Sequence, residues 1–382
     1  MTGSGAAEIA VIRTGGGDFP RAPRRYQGIP GVEVMPSGRI FVCFYCGDEP
    51  GEGPGNYVIV TASGDCGRSW REIAAFLPGG PELRLFDPVL WLAPDGVLRL
   101  FWSQSRSRKL WDVFDGRSGV WLAECRDPDA AVPKWSAPRR IGDGTMMNKP
   151  TVLHDGRWAL PTALWSILPE TMLPELRDRY RSNLLLTGDG GRTWQFMTGP
   201  DVPNRHFDEH VIVERADRAL WVLVRTSYGI GQSFSFDGGE SWTPGGDSGL
   251  NGPNSRFALR RLRSGRLCLV NHRTAPHAPS EKPPRDNLTV RLSDDDGASW
   301  SGGLLLAPGP DVSYPDFTEG GDGFIYAVYD CDRYGKGQIF LARFTENDIR
   351  AQGFVTPGST GGILVASFAS RPASEPEGKN AK

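Results

Sequence analysis

A short unit recurs six times along the chain and constrains its fold more than any other feature. Each copy is a tight turn followed by an apolar strand, and neighbouring copies lie roughly 50 to 60 residues apart. They read PSGRIFVCF near residue 37, PDGVLRLFW at 94, HDGRWALP at 154, RADRALWVLV at 215, RSGRLCLV at 263 and GDGFIYAVY at 321. The glycine suits the positive φ of a hairpin turn. The fourth copy has Asp217-Arg218 there, and we expect the aspartate to adopt the left-handed conformation.

A second repeat, S/T-x-D-x-G-x-S/T-W, alternates with the first. Its aspartate accepts backbone N–H groups within a turn, its glycine takes an unusual dihedral, and its tryptophan packs between sheets. The four good copies place these aspartates at Asp65, Asp189, Asp237 and Asp295, and a degenerate unit between the first two ends near Trp135. Pairing one copy of each repeat yields a four-stranded unit.

The chain has 382 residues with 49 glycines and 31 prolines, and long amphipathic helices are hard to find. Many turns and many short apolar strands indicate an all-β protein. We predict a six-bladed β-propeller of four-stranded antiparallel blades, forming a single domain over residues 1–365. The N-terminal AEIAVIR is expected to close the ring, and residues 366–382 are expected to form a disordered tail.

Charge and hydropathy exclude several classes of protein. The 43 basic and 45 acidic residues are balanced, which argues against a nucleic-acid partner. No run of about 18 apolar residues is present, so no membrane span is expected. The N-terminus lacks the basic-then-apolar layout of a secretory signal, which favours a cytoplasmic location. No cofactor is predicted.

The second repeat is the Asp-box, and four copies of it make the chain resemble the BNR/sialidase superfamily. The resemblance covers roughly residues 20 to 345 and implies a sialidase-like, retaining exo-glycoside hydrolase that acts on a terminal, acidic sugar. In that family the boxes lie on turns away from the catalytic face. The resemblance therefore implies a structural role for the four box aspartates.

The segment DVSYPDF resembles the sialidase segment that opens the last blade, which makes Tyr314 the candidate nucleophile. A sialic acid carries a carboxylate on its anomeric carbon and would repel an anionic nucleophile, whereas a neutral phenol with a base beside it would not be repelled. RHFDEHVIVERADRALWVLVRTSYG resembles the fourth blade and implies Glu209 as that base. Both residues are predicted to be catalytic.

Two arginines are predicted to bind the acidic group of the substrate. Arg225 ends the apolar run ALWVLV, where a cation needs a partner or a cleft. Arg285 takes the place of an arginine in the fifth-blade segment of sialidases, with Arg291 as the alternative. A guanidinium suits a planar carboxylate because it binds through two parallel hydrogen bonds.

The chain departs from the family at its first blade. Sialidases open that blade with an Arg-Ile-Pro segment, and here YQGIPGVEV has Gly28 at the arginine position. Arg24 and Arg25 are the nearest replacements in the sequence. The missing arginine leaves the identity of the acidic sugar open.

The acid/base is predicted in the loop CGDEPGEGPGNYVIV, which follows the strand FVCFY. Counting back from the next strand favours Glu52 as the catalytic proton donor, with Asp48 and Glu49 as alternatives. A carboxyl group in a closed sugar pocket can have a raised pKa and donate a proton.

Several further polar residues precede predicted inner strands, where a propeller carries its site. They are predicted to bind substrate: Asp87, Asn148, Lys149, His206, His210 and Arg256. A metal site from the two histidines lacks a third ligand, and none is predicted.

Two other functions fit the same sequence, and both keep a carbohydrate as the partner. A polysaccharide lyase would use His206, His210, Tyr314 and Lys149 to abstract a proton beside a uronate. A non-catalytic sugar-binding propeller would account for the missing first-blade arginine.

Overall fold

Six antiparallel sheets make up the protein, as a computed structural model that describes residues 9–15, 19, 24–106, 115–165 and 172–368 shows. Each sheet is built from strands consecutive in sequence, and the inner strand of blade 1, β2, contacts the inner strands of both neighbouring blades, β6 and β22. The predicted six-bladed propeller of four-stranded blades is thereby confirmed.

The strands follow one another blade by blade. Blade 1 holds β1 (Val11–Thr14), β2 (Tyr26–Val34), β3 (Ile40–Gly47), β4 (Tyr57–Ser63) and β5 (Arg71–Leu77). Blade 2 holds β6 (Leu83–Leu92), β7 (Leu98–Arg106), β8 (Gly119–Cys125) and β9 (Arg139–Asp143). Blade 3 holds β10 (Thr151–Val152), β11 (Trp158–Ala163), β12 (Ser182–Thr187) and β13 (Gln195–Met197), with a 3₁₀ helix at Pro174–Arg179.

The second half of the ring has the same order. Blade 4 holds β14 (Val211–Glu214), β15 (Leu220–Thr226), β16 (Gly229–Ser235) and β17 (Gly246–Leu250). Blade 5 holds β18 (Ala258–Arg261), β19 (Leu267–His272), β20 (Leu288–Ser293) and β21 (Ser301–Ala307). Blade 6 holds β22 (Val312–Glu319), β23 (Ile325–Cys331), β24 (Gln338–Phe344) and β25 (Thr360–Ala366), with helix α1 (Glu346–Ala351) between the last two strands.

The N-terminal strand β1 does not close the ring, so that prediction was wrong. It pairs antiparallel with β5, from Val11 opposite Leu77 to Thr14 opposite Ala74, and adds a fifth strand to the outer edge of blade 1. This edge of β5 is open for main-chain pairing, and β1 satisfies it. Blade 6 is complete without a strand from the N-terminus.

Hydrogen bonds from aspartates join blade 6 to blade 1 instead. Asp330 accepts the backbone N–H of Ile29 (2.8 Å), and Asp316 accepts that of Val32 (2.9 Å). All four residues are buried. The inner strand β2 is an edge of its sheet and pairs only with β3, and the two carboxylates accept hydrogen bonds from amides on its other side.

A single ammonium group on the axis ties four blades together. Lys149, from blade 3, donates to the carbonyl oxygens of Leu90 (2.6 Å) and Val32 and lies 3.1 Å from Asp316 and 3.4 Å from Glu33. Its side chain is 1% exposed. The partners lie on the inner strands β2, β6 and β22, and this cation compensates the two buried carboxylates among them at once.

The turns of the first repeat have the predicted geometry with one correction. Glycine adopts positive φ in five copies, at Gly38, Gly96, Gly156, Gly265 and Gly323. In the fourth copy the left-handed residue is Arg218 (φ 73°), not Asp217. The residue with positive φ therefore occupies the same position in all six turns, whichever side chain it has.

The Asp-boxes fold as the repeat predicts. In the first copy, Asp65 accepts hydrogen bonds from the hydroxyls of Ser63 (2.7 Å) and Ser69 (2.6 Å) and from the Ser69 amide (2.9 Å). The bonds from the Ser69 side chain and backbone lower the pKa of Asp65 to about 2. The carboxylate is therefore a turn acceptor at neutral pH.

The last strand ends at Ala366, one residue beyond the predicted domain boundary. Residues 369–382 of the predicted tail lie outside the described residues. Within the described part of the chain, no helix is long and apolar enough to cross a membrane.

Replacing the axial lysine tests the blade-joining role. We expect Lys149→Met to lower the free energy of unfolding by about 3–5 kcal/mol, because two buried carboxylates lose their counter-ion. Urea denaturation followed by tryptophan fluorescence measures the change. The exposed Lys134→Met is the control and should leave the midpoint unchanged; a loss under about 1 kcal/mol in Lys149→Met would contradict the role.

The fourth turn offers a reciprocal pair of variants. Arg218→Gly should raise the free energy of unfolding by roughly 1 kcal/mol, since glycine adopts positive φ without a steric cost. Gly156→Ala, at φ 87° in the equivalent turn and with open space around its Cβ, should lower it by a similar amount. Equal stability of both variants and the wild type in thermal unfolding would refute the assignment.

Candidate active site

A cavity of about 640 Å³ opens where the inner strands begin. Side chains from all six blades line it, and they include six of the predicted site residues: Glu52, Asp87, Glu209, Arg225, Arg285 and Tyr314. None of the four box aspartates is a lining residue. The cavity therefore brings together side chains from distant parts of the chain.

Tyr314, Glu209 and Arg225 form one hydrogen-bonded group at the wall of this cavity. The Tyr314 hydroxyl donates to Glu209 Oε1 (3.3 Å), and Arg225 Nη1 bonds both that oxygen (2.6 Å) and the Tyr314 hydroxyl (3.3 Å). Each of the three residues is at most 7% exposed. The second oxygen, Glu209 Oε2, is buried without a hydrogen-bond partner among the described residues. The carboxylate is thus placed to take the phenol proton.

Two more guanidinium groups lie over the ring of Tyr314. The guanidinium carbon of Arg333 is 4.1 Å from the ring centroid, and that of Arg285 is 5.4 Å away. Arg285 donates to the Asn254 carbonyl (2.9 Å) and forms no ion pair with any described carboxylate. Three cations consequently surround one phenol, two at its face and one at its hydroxyl.

The backbone presents Tyr314 to the cavity through a strained bulge. Its φ is 53°, it precedes a proline, and the pairing of β22 with β23 shifts register around it. Asp87 has the same features at φ 51° on β6, and Ile29 has them at φ 56° on β2. All three line the cavity. A bulge redirects a side chain out of the sheet, and here it directs three side chains at the same site.

Arg333 fills the space that Gly28 leaves. A Cβ atom at position 28 would lie 3.1 Å from Arg333 Cβ and 3.0 Å from Asp330 Oδ2. Arg333 is 7% exposed, contacts Asp330 Oδ1 at 3.4 Å and donates to the Ser313 hydroxyl. A guanidinium from blade 6 therefore enters the cavity beside the position of the missing first-blade arginine.

Neither arginine near the first blade takes that place. Arg24 pairs with Glu72 at 2.6 Å and donates to the Gln27 side chain at 3.2 Å, and Arg25 is exposed. Both are absent from the cavity lining, as is the alternative Arg291.

Glu52 lies in the cavity wall as an ion-paired carboxylate. Arg84, 2% exposed and stacked 4.4 Å from the Phe86 ring centroid, contacts Glu52 at 2.5 Å. Burial would raise the pKa of Glu52, but the guanidiniums of Arg84 and Arg333 outweigh it and lower the pKa below its ordinary value. The alternatives Asp48 and Glu49 do not line the cavity.

Asp87 lies in the same wall, but its pKa is shifted in the opposite direction from that of Glu52. It is 2% exposed, and its Oδ2 has no hydrogen-bond partner among the described residues. Burial, followed by the negative charge of Glu52, raises its pKa well above the ordinary value. The surroundings of Asp87 at the cavity wall thus favour its neutral, protonated form.

Three residues predicted to bind substrate lie beneath the cavity and not in its lining. Lys149 makes the axial contacts described above. Arg256 donates to the Asn148 side-chain oxygen (3.0 Å), and Asn148 donates to the carbonyls of Glu209 (3.1 Å) and His210 (3.0 Å). These protein contacts favour a structural role, and substrate binding by the three stays a prediction.

The two histidines are also outside the lining. His210 is buried, and its ring nitrogens contact the carbonyls of Asp208 (2.8 Å) and Asn183 (2.7 Å). His206 packs edge-on against Phe207, and burial, followed by the charge of Arg225, lowers its pKa. Across the described ranges, no group of three His, Cys, Asp or Glu is placed to hold a metal ion. The proton-abstracting set that a lyase would need is not assembled in the cavity.

The sequence analysis missed Arg333 and Arg84. Arg333 follows the apolar strand FIYAVY, and the argument applied to Arg225, a cation at the end of a buried strand, would have found it. Arg84 carries no such signal, because it alternates with leucines in LRLF as an exposed residue would.

Comparison with known proteins gives a consistent result. The family described as BNR repeat-like domain matches residues 79–327, more than half of the chain. No curated protein sequence matches.

Several solved structures share the fold. A Hadza microbial sialidase is 17% identical with a TM-score of 0.67, over 85% of this chain and 66% of that one. The intramolecular trans-sialidase of Ruminococcus gnavus is 14% identical with a TM-score of 0.64, over 91% and 99%. A Trypanosoma rangeli sialidase, solved with sialic acid, is 14% identical with a TM-score of 0.60, over 80% of this chain and 52% of its own.

The TM-scores of these structures establish the likeness of fold, and the family match covers residues 79–327. The chain therefore belongs to the BNR repeat-like domain family, and its propeller is of the sialidase type.

Proposed function

We propose that the protein is a retaining exo-glycoside hydrolase that releases a terminal sugar bearing a carboxylate. The observation that carries the proposal is the buried contact of Tyr314 with Glu209 and Arg225 in the wall of the cavity. A phenol bonded to a carboxylate whose other oxygen is unsatisfied is a nucleophile with its base in place.

Glu209 and Arg225 have different roles in the first step. Glu209 would take the phenol proton as the Tyr314 oxygen attacks the anomeric carbon, forming a glycosyl–enzyme bond. Arg225 donates to the same Glu209 oxygen and holds the carboxylate in position beside the phenol. Because the reacting oxygen starts neutral, it approaches an anionic substrate without repulsion.

The guanidiniums support an acidic substrate. Arg225 is paired with Glu209 and Arg333 with Asp330, but Arg285 faces the cavity without a carboxylate among the described residues. Asp311 and Asp332 also line the cavity, so net charge does not favour an anion. What favours one is the clustering of three planar guanidiniums around the Tyr314 ring, which suits two-pronged binding of a carboxylate.

The likeness to sialidases supports the same substrate class. Among the structures of this fold, that of the Trypanosoma rangeli enzyme holds sialic acid and that of the Ruminococcus gnavus enzyme holds oseltamivir carboxylate. We propose a nonulosonic acid or a related carboxylated sugar as the unit that this protein releases.

Removing the phenol oxygen tests the mechanism. Tyr314→Phe should lower kcat on a fluorogenic glycoside of a carboxylated sugar by roughly 10³-fold or more, because the phenylalanine ring has no oxygen with which to form the glycosyl–enzyme bond. The control is Tyr326→Phe in the same blade, whose hydroxyl bonds Asp322 away from the cavity and whose loss should leave kcat unchanged. Full activity of Tyr314→Phe would refute the nucleophile.

Moving one guanidinium tests the role of Arg333. Arg333→Gly should raise KM for a carboxylated substrate roughly 10- to 100-fold, since a charge-assisted hydrogen bond is lost. Adding Gly28→Arg to that variant should recover part of the affinity, because position 28 adjoins the vacated space and Asp330. Gly28→Arg alone should be destabilised by the 3.1 Å approach of its Cβ to Arg333.

The measurement is KM from initial rates on the carboxylated glycoside, compared with the same sugar carrying a methyl ester. An equal rise of KM on both substrates in Arg333→Gly would mean that the arginine supports the fold and does not bind the carboxylate.

A further inference from the structure

Two carboxyl groups share the blade 1 and blade 2 side of the cavity, yet their surroundings are opposite. Glu52 and Asp87 both line the cavity. Glu52 is held by Arg84 at 2.5 Å, and the hydroxyl of Tyr334 is 3.4 Å from its other oxygen. Asp87 has a buried, unpartnered oxygen within the described structure. Two neighbouring titratable groups whose surroundings shift their pKa values in opposite directions indicate an acid and a base.

Glu52 is poorly suited to give up a proton. A carboxyl that donates must first be protonated, and protonating Glu52 would leave the Arg84 guanidinium, 2% exposed, without its counter-ion. A buried guanidinium without a counter-ion is unfavourable, so protonation of Glu52 is disfavoured. The ion pair therefore keeps Glu52 as a carboxylate through the reaction.

Asp87 is built to hold a proton at the cavity surface. Its side chain is presented by the bulge between Phe86 and Val89, at φ 51° and just before Pro88. Its unpartnered Oδ2 is satisfied by carrying a hydrogen that points to a ligand oxygen. The strained backbone on a non-glycine residue indicates that the side-chain direction has been kept at a cost.

We propose that Asp87, and not Glu52, is the catalytic proton donor of the hydrolysis proposed above, on which this inference rests. In the first step the bond from the anomeric carbon to the leaving oxygen breaks, and that oxygen takes the electron pair and the Asp87 proton. The Tyr314 oxygen forms the new bond to the carbon, and its own proton passes to Glu209.

The second step reverses the roles. Water attacks the anomeric carbon and gives a proton to the Asp87 carboxylate, while the bond from the carbon to the Tyr314 oxygen breaks. The phenoxide takes back the proton from Glu209. Both residues return to their starting states, so the cycle needs no other reactant.

Charges on several elements act on Asp87 besides burial. Glu52 from the first-blade loop and Glu209 before β14 favour its neutral form, whereas Arg84 on β6 and Arg256 before β18 oppose it. Burial and the carboxylates together raise the pKa of Asp87 above the unfolded value. The folded state thus binds the extra proton, and the stability from the neutral form is lost as pH rises through the raised pKa.

Leaving-group dependence separates a proton donor from a structural residue. Asp87→Asn preserves the shape of the neutral acid but has no acidic proton. On a methyl or disaccharide glycoside, whose alkoxide is a poor leaving group, we expect kcat/KM to fall 10²- to 10⁴-fold. On a 4-methylumbelliferyl glycoside, whose phenol leaves without protonation, we expect a fall below about 10-fold in the glycosylation step.

Glu52→Gln is the matched comparison. It should lower kcat/KM on both substrates by a similar factor, because it disturbs Arg84 and does not act on the leaving oxygen. Asp155→Asn, exposed in a turn outside the cavity, should match the wild type on both. Leaving-group selectivity in Glu52→Gln but not in Asp87→Asn would overturn the donor assignment and leave the proposed function standing. No turnover of any carboxylated glycoside by the wild type would overturn both.

The pH profile gives a second readout. The alkaline limb of kcat/KM on the alkyl glycoside should follow Asp87 and be absent from Asp87→Asn assayed on the aryl glycoside. Infrared difference spectra at pH 7 should show a protonated carboxyl band that Asp87→Asn lacks, independent of turnover. Absence of that band from the wild type would overturn the inference.

Discussion

The buried ammonium of Lys149 is the contact on which the rest of the molecule depends. Among the described residues, no strand from one end of the chain pairs with the blade at the other end to close this ring, since β1 adds only to the outer edge of blade 1. The blades are joined at the centre instead, where Lys149 reaches carbonyls and carboxylates of blades 1, 2 and 6. Asn148, the preceding residue, bonds the backbone of Glu209. The network that holds the blades together therefore also fixes the residue that would take the phenol proton.

How far the sequence predicts this molecule depends on whether the signal is local. The turn–strand repeat and the Asp-box are local patterns, and the number of blades and the strand order follow from them. The closure of the ring does not, because β1 could satisfy either of two sheet edges and no local feature chooses between them. Arg218 gives a second example within one turn. Its position in the turn, and not its side chain, determines that it adopts positive φ.

The site residues divide by the same rule. Four predicted site residues lie in sequence segments that resemble sialidase segments, and all four line one cavity: Tyr314, Glu209, Arg225 and Arg285. Lys149, Asn148 and Arg256 were predicted to bind substrate because polar groups in apolar strands need partners. Their partners turn out to be across the axis, which sequence spacing cannot reveal. The close approach of Arg333 to Gly28 is likewise a contact between the last blade and the first.

The inner strands β2, β6 and β22 share one backbone feature, and this feature affects how the site can change during evolution. The bulges at Ile29, Asp87 and Tyr314 are each followed by a proline, which has no N–H to pair and so keeps the strand from reverting to regular pairing. This feature fixes where a side chain points but not which side chain it is: an alkyl group, an acid and a phenol occupy equivalent positions. The side chain of Ile29 thus lines the cavity without a polar group of its own. A single codon change there would add a polar group to the site on an unchanged scaffold.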